Sequence, residues 1–219
     1  MAQTAAAAHR DGQPGSPAPL PASRRRGQES RERIVAAALS LIAKHGPRSR
    51  EVSVRAIAAG AGVSIGALYH HFPDLERIMS AVAERYMNEM MAAIGAATAD
   101  REWADIHGFI DARITAYAEF FAARPGLREF WFDDQASDGV IDVHRRYREM
   151  ISTAMQQAFA RFTGVTADPV IFQISTVVSG SLFELAFRRD PKGDAVVVAE
   201  LRKFIRRYFE EKLEESSSS

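Results

Sequence analysis

The 219-residue chain reads as an all-α protein of about nine helices. Apolar residues recur at three- and four-residue spacing along most of its length. Glycines, prolines and polar turns interrupt them at helix-length intervals, and no convincing strand or internal repeat is present. The Val and Ile clusters at 170–178 and 196–198 have strand-like composition, but their i, i+3, i+4, i+7 spacing assigns them to helices.

The opening "MAQTAAAAHRDGQPGSPAPLPAS" lacks a basic region followed by an apolar stretch, so it is not expected to act as a secretion signal. Its Ala, Pro and Gly content predicts a flexible arm over residues 1–26, ending in Arg24, Arg25 and Arg26. From Glu29, Ile34, Ala37, Ala38, Leu41 and Ile42 mark a first amphipathic helix that ends near Lys44, before Gly46 and Pro47. Ser53 caps a short second helix carrying Val54, Ile57, Ala58 and Ala61, and Gly62 stops it. Ser64 caps a third through His70. After a break at 72–74, Leu75, Ile78, Met79, Val82 and Tyr86 begin a fourth. Trp103, Ile106, Ile110, Ile114, Tyr117 and Phe121 mark a fifth, ended by "RPG" at 124–126. A short apolar and aromatic piece, Leu127 to Phe132, precedes the polar loop "DDQASDG". Val143 to Phe159 lie on a long helix closed by Gly164; Val170 to Ala186 lie on another, bounded by Pro169 and Pro191. Val197 to Phe209 lie on the last, with a flexible tail over 214–219.

A hydrophobic fraction of 47% with 26% charged residues predicts a folded chain. No cysteine occurs, which removes disulfides, thiolate metal sites and a Cys nucleophile, and fits a cytoplasmic protein. No continuous run of about 18 apolar residues is present, so no membrane span or membrane partner is expected. Formal net charge is zero, but between Arg24 and Arg77 ten basic residues face five acidic ones. That local excess is either a phosphate-facing surface or a solvated face.

The segment "GAGVSIGALYHHF", residues 60–72, joins the two short helices. Two such helices with a glycine turn, packed on a longer first helix, make a helix-turn-helix, whose second helix can lie in a DNA major groove. Ile57, Ala58, Val63 and Leu68 hold the unit together. Gly66 inside the second helix costs about 1 kcal/mol relative to alanine, offset either by close approach to DNA or by close packing on a neighbouring helix. The adjacent His70 and His71 point about 100° apart on a helix, so one metal site from both is not expected.

The stretch "EVSVRAIAAGAGVSIGALYHHFPDLERIM" resembles the N-terminal signature of the TetR family of one-component transcriptional regulators, in its Ile-Ala, Ala-Gly-Val-Ser, Gly-x-Leu-Tyr-x-x-Phe and closing Ile. "RPGLREF" resembles that family's break after the fifth helix. The resemblance implies DNA binding by residues 27–73 and effector binding with dimerisation by residues 74–213. It implies phosphate contacts from Tyr69 and His70, helped by Ser53, Ser64 and the free amides at their helix starts, with Val54 beside them. The family usually has a lysine where this chain has Leu75; Arg77 or the Arg24–Arg26 arm is the candidate replacement. The reading helix offers Ile65, Gly66 and Ala67 to the groove, none able to make a bidentate contact to a base. Specificity is therefore expected from thymine methyl contacts, DNA shape, and Arg55 or Arg50.

In the second region Trp103, Tyr117, Phe121, Trp131, Tyr147 and Met150 either line a pocket or form plain core. His107, Asp111 and His144 either orient a ligand or are satisfied core or surface groups. Without a basic cluster there, the effector expected is small and apolar or aromatic. The last two helices, with small residues in "STVVSGS" at 175–181, are expected to pair two copies. The function implied is a ligand-responsive repressor of a palindromic operator, with no catalytic role, cofactor or metal. The alternatives are a helical enzyme or lipid-binding protein with a similar start, and a DNA-binding protein without an effector.

Overall fold

The computed structural model describes residues 22–99, 102–133 and 135–217, which form nine α-helices and no strand. In chain order these are α1 (Ala22–His45), α2 (Val54–Ala61), α3 (Ile65–His71), α4 (Leu75–Ala99), α5 (Ile106–Ala122), α6 (Pro125–Trp131), α7 (Asp138–Thr163), α8 (Pro169–Arg189) and α9 (Ala195–Ser217).

Local chemistry sets the boundaries of the first three. The Ser53 hydroxyl accepts from the Ala56 amide at 3.3 Å and the Ser64 hydroxyl from the Ala67 amide at 3.1 Å, each supplying an acceptor to a first-turn N–H. Gly62 closes α2 in the left-handed region at φ +64°, where a side chain would be strained. The Asp74 carboxylate accepts from the Arg77 amide at 2.8 Å as α4 begins. Ile34, Ala38, Ile42, Ile57, Ala58, Leu68 and Phe72 are all buried and form the core of this trio.

The helix α4 packs against α1 of the trio and against α5 and α7 of the larger bundle. There Tyr86, Met87 and Met90 are fully buried, with Phe121, Phe159, Phe172 and Phe209 from other helices. The aromatic rings meet edge-on or tilted, as in Phe159 against Phe172 at 5.4 Å and against Phe209 at 5.5 Å between centroids.

Several boundaries differ from the sequence expectation. Residues 1–21 of the expected arm lie outside the described residues, but Arg24, Arg25 and Arg26 belong to α1. Alanine, arginine and glutamine favour helix, and Arg25 pairs with Glu29 one turn on at 3.6 Å. Residues 214–217 of the expected tail likewise continue α9, where Lys212 pairs with Glu215 at 2.7 Å. Trp103 precedes the fifth helix instead of starting it, because Asp105 caps that helix by accepting from the Gly108 amide at 2.9 Å.

Although no continuous apolar run is present, α8 is, by length and composition, apolar enough to cross a membrane. Its Phe172, Phe183, Ala186 and Phe187 are buried in the bundle, while Val170, Ile174, Val177 and Leu185 are exposed. Spaced by four, three and eight residues, the exposed four form one stripe. On α9, Val196 and Phe204 are exposed as well.

Candidate DNA-binding face and effector cavity

The two faces of α3 are opposite in character. Leu68 is wholly buried, whereas Ile65 is 43% and Tyr69 50% exposed, so two large side chains of this helix stand in solvent. His70 is exposed beside them, and Gly66 lies between Ile65 and Ala67. A Cβ placed on Gly66 would meet nothing nearer than the Ser64 hydroxyl at 4.0 Å. Close packing on a neighbouring helix therefore does not explain this glycine; its surroundings are open. Ser64, Arg50 and Arg55 are exposed nearby, and Ser53 and Val54 are half-buried at the start of α2. His71 is half-buried and precedes the buried Phe72, whose ring lies under the Arg31 guanidinium at 5.0 Å. Burial lowers the His71 pKa, with His70 and Arg31 adding to it.

The second feature is a cavity of about 540 Å³ inside the bundle. Met87, Met90 and Ile94 of α4, Ile110, Arg113, Ile114 and Tyr117 of α5, Trp131 of α6, His144, Tyr147, Ile151 and Met155 of α7, and Ser175, Thr176, Val177, Ser179, Gly180, Ser181, Phe183 and Glu184 of α8 supply most of its wall. The Trp131 and His144 rings meet tilted at 46° with centroids 3.6 Å apart, and the Tyr117 ring centroid lies 4.1 Å from that of Phe183. The Nε2 atom of His144 is buried with no hydrogen-bond partner among the described residues. Burial, and then the charge of Arg148, lower the His144 pKa to about 4, so the ring is neutral at ordinary pH. Burial raises the Tyr117 phenol, which stays protonated. The Tyr147 hydroxyl donates to Asn88 Oδ1 at 2.7 Å, locking its ring against α4.

A family model described as "Tetracyclin repressor-like, C-terminal domain" matches residues 104–213, and one described as "Bacterial regulatory proteins, tetR family" matches residues 34–82. The chain belongs to the TetR family. It is a transcriptional regulator with that family's N-terminal and C-terminal domains. No curated protein matches the sequence significantly. Among solved structures, a TetR-family transcriptional regulator from Streptomyces coelicolor is 22% identical, covers 84% of this chain and 99% of its own, and superposes with a TM-score of 0.65. The multidrug binding protein EbrR, solved with imidazole, is 24% identical over 84% of this chain and 92% of its own, with a TM-score of 0.65. RolR, solved with resorcinol, is 18% identical over 85% and 94%, with a TM-score of 0.61. At these identities the structural likeness concerns the fold.

Of the nine residues of this TetR-family chain singled out for a ligand, Tyr117, Trp131, His144 and Tyr147 reach the cavity wall. Phe121 stands behind it, fully buried 4.7 Å from Tyr117. The other four lie elsewhere. Trp103 packs on Phe109 while its indole N–H donates to the Thr98 carbonyl at 3.2 Å. His107 faces Glu210 at 3.5 Å, and Asp111 pairs with Arg202 and Arg206 at 3.4 and 3.1 Å; both face the seam between α5 and α9. Met150 is exposed on α7. The small residues Ser175, Thr176, Ser179 and Gly180 of α8 also line the cavity. Sequence reasoning passed over Arg113, Met87 and Met90. Arg113 sits in the stripe Ile110, Arg113, Ile114, Tyr117, and its phase was the available signal.

One further contact ties the two parts of this TetR-family regulator together. The helix α6 carries Trp131 into the cavity wall and also presses Gly126 onto the end of α1, where a Cβ would overlap the carbonyls of Ile42 and Ala43. Just beyond α6, Asp133 lines the cavity and accepts from the Arg48 guanidinium, with Nε 3.2 Å from Oδ2. The Arg48 pair, then the Gln135 amide, hold the Asp133 carboxyl below the usual range.

Proposed function

We propose that this regulator is a repressor. It binds a palindromic operator as a homodimer in the cytoplasm and is released when a small apolar or aromatic molecule fills the cavity. The observation that carries the reading is the exposure of Ile65 and Tyr69 around an unobstructed Gly66 on a helix anchored by buried Leu68. A backbone that bare can approach base edges closely, and Ile65 and Ala67 can meet thymine methyls. Tyr69, His70, Ser53 and Ser64 then hold phosphates, with Val54 against the sugar-phosphate backbone and Arg50 or Arg55 reading bases from outside the helix. Arg77 and the α1 arginines 24–26 supply the charge that Leu75 does not. DNA recognition rests with residues 27–73, and effector binding and pairing with residues 74–213.

Pairing through α8 and α9 is supported by the exposed stripe Val170, Ile174, Val177 and Leu185 and by Val196 and Phe204. A two-fold dimer matches an operator with two half-sites. EbrR is named as a multidrug binding protein and RolR holds resorcinol; both carry their ligands on this fold, which supports an effector role for the cavity here. Coupling follows from α6. A molecule that displaces Trp131 or Asp133 moves Gly126 and Arg48, and with them the trio that positions α3.

The test is selection of operator fragments from genomic DNA with the purified protein, followed by a ligand screen for release. Salt-dependent binding to a palindrome supports the reading, and so does its loss on adding a cavity ligand. Absence of any sequence preference sinks the DNA reading. Binding that no ligand disturbs leaves a regulator without an effector.

A further inference from the structure

Among the described residues, the cavity wall holds one half-buried cation that no acceptor answers. Two carboxylates line it, and each is engaged by its own arginine: Asp133 by Arg48 and Glu184 by Arg188. Arg113 also lines it, half-buried, yet among the described residues it makes no hydrogen bond or ion pair. Its neighbour on α5, Asp111, is taken by Arg202 and Arg206 on the far side of the helix. What Arg113 does contact is the Phe109 ring, 5.6 Å from its Cζ, and Arg161 occupies that ring too, at 5.7 Å. The second cation makes the place less hospitable to a positive charge. A guanidinium has five N–H donors in a fixed fork and stays protonated when partly desolvated, so in a pocket it needs an acceptor. Burial depresses the Arg113 pKa with no opposing contribution from a carboxylate. Arg148, also at the cavity, is exposed and solvated at its rim.

We propose that Arg113 is the anchor for a single carboxylate on an effector whose apolar body lies against Tyr117, Trp131 and Phe183. This rests on the cavity being the effector site, and names the class of effector. The planar fork accepts a carboxylate through two parallel hydrogen bonds. Ile110, Ile114 and Tyr117, on the same face of α5, hold the body that follows. With Asp133 and Glu184 already paired to Arg48 and Arg188, the half-buried guanidinium matches one carboxylate on the effector. Alkyl and aryl acids share this chemistry.

The experiment uses the neutral dye 1-aminoanthracene as a fluorescent reporter bound in the cavity of the full-length protein. It is competed at pH 7.5 by 4-phenylbutanoate and by decanoate, each against its primary amide. The expected result is that at least one acid displaces the dye at a concentration tenfold or more below that of its amide. The preference is lost in Arg113→Met and partly kept in Arg113→Lys. Thermal melting checks that each variant is folded; if Arg113→Met is not, Arg113→Gln replaces it. Dye displaced equally by acids and amides overturns the proposal while leaving the cavity as an effector site, and so does an acid preference that survives Arg113→Met. Failure of the dye and all four competitors to bind overturns both. Comparing the two acids separates an aryl from an alkyl body.

Discussion

Helix α3 keeps its candidate functional side chains in water, whereas the cavity keeps its own in the core. On α3, Ile65 and Tyr69 are exposed and hold nothing together; that work falls to Leu68 on the opposite face. In the bundle, Tyr117, Trp131 and His144 form the cavity wall and also pack on Phe121, Phe183 and one another. Function and stability are therefore separable on α3 and inseparable around the cavity. A DNA-facing variant should change affinity with little change in folding, and a cavity variant should change both.

The strongest test of the buried side is Phe121→Ala. Phe121 is fully buried behind Tyr117, so removing its ring should cost about 3–5 kcal/mol in a urea titration. A loss below about 1 kcal/mol would mean the bundle collapses easily around the cavity. Next comes pH. Unfolded His144 takes up its proton near 6.5, but in the fold only near 4, so between those values the unfolded state holds more protons. Stability conferred by the neutral ring is present above 6.5 and is lost as pH falls toward 4, at up to about 1.4 kcal/mol per unit. Urea midpoints of wild type and His144→Phe across pH 4.5–7 should converge in slope if this is wrong.

On the exposed side, Tyr69→Ala should weaken operator binding about tenfold through loss of a charge-assisted phosphate contact. Its folding stability should stay within about 0.5 kcal/mol of wild type, as for most exposed substitutions. A large fall in stability would place Tyr69 among the structural residues. The smallest effect sharpens the contrast most. Because the space around Gly66 is open, Gly66→Ala should raise stability by up to about 1 kcal/mol while lowering operator affinity. Gel-shift and denaturation measurements moving in the same direction would contradict this account of the glycine.

The same difference explains what could be read from the residues alone. Capping serines, Gly62 and the apolar spacing of α2 and α3 act within a few residues of each other, so their consequences were visible in order along the chain. The cavity draws its wall from helices far apart in sequence, and periodicity says which face of a helix is inward without saying which inward residues border a void. Tyr117 and Phe121 share a face of α5, yet one lines the cavity and the other stands behind it. Asp111 and His107 looked inward for the same reason and instead meet arginines and a glutamate on α9, whose placement no local pattern encodes. Arg113 was passed over because an arginine on a helix ordinarily marks the solvated side.

The central claim is that occupancy of the cavity changes how the two α3 helices of a dimer meet DNA. The chain contains no cysteine, so a spin label at Ala36→Cys, exposed on α1, reports the separation of the two helix trios without background. With a selected operator, pulsed electron resonance should give one narrow distance, consistent with reading helices about 34 Å apart in successive major grooves. Adding a cavity ligand that releases the DNA should shift or broaden that distance. An unchanged distribution on release, or no inter-protomer distance at all, would contradict the claim.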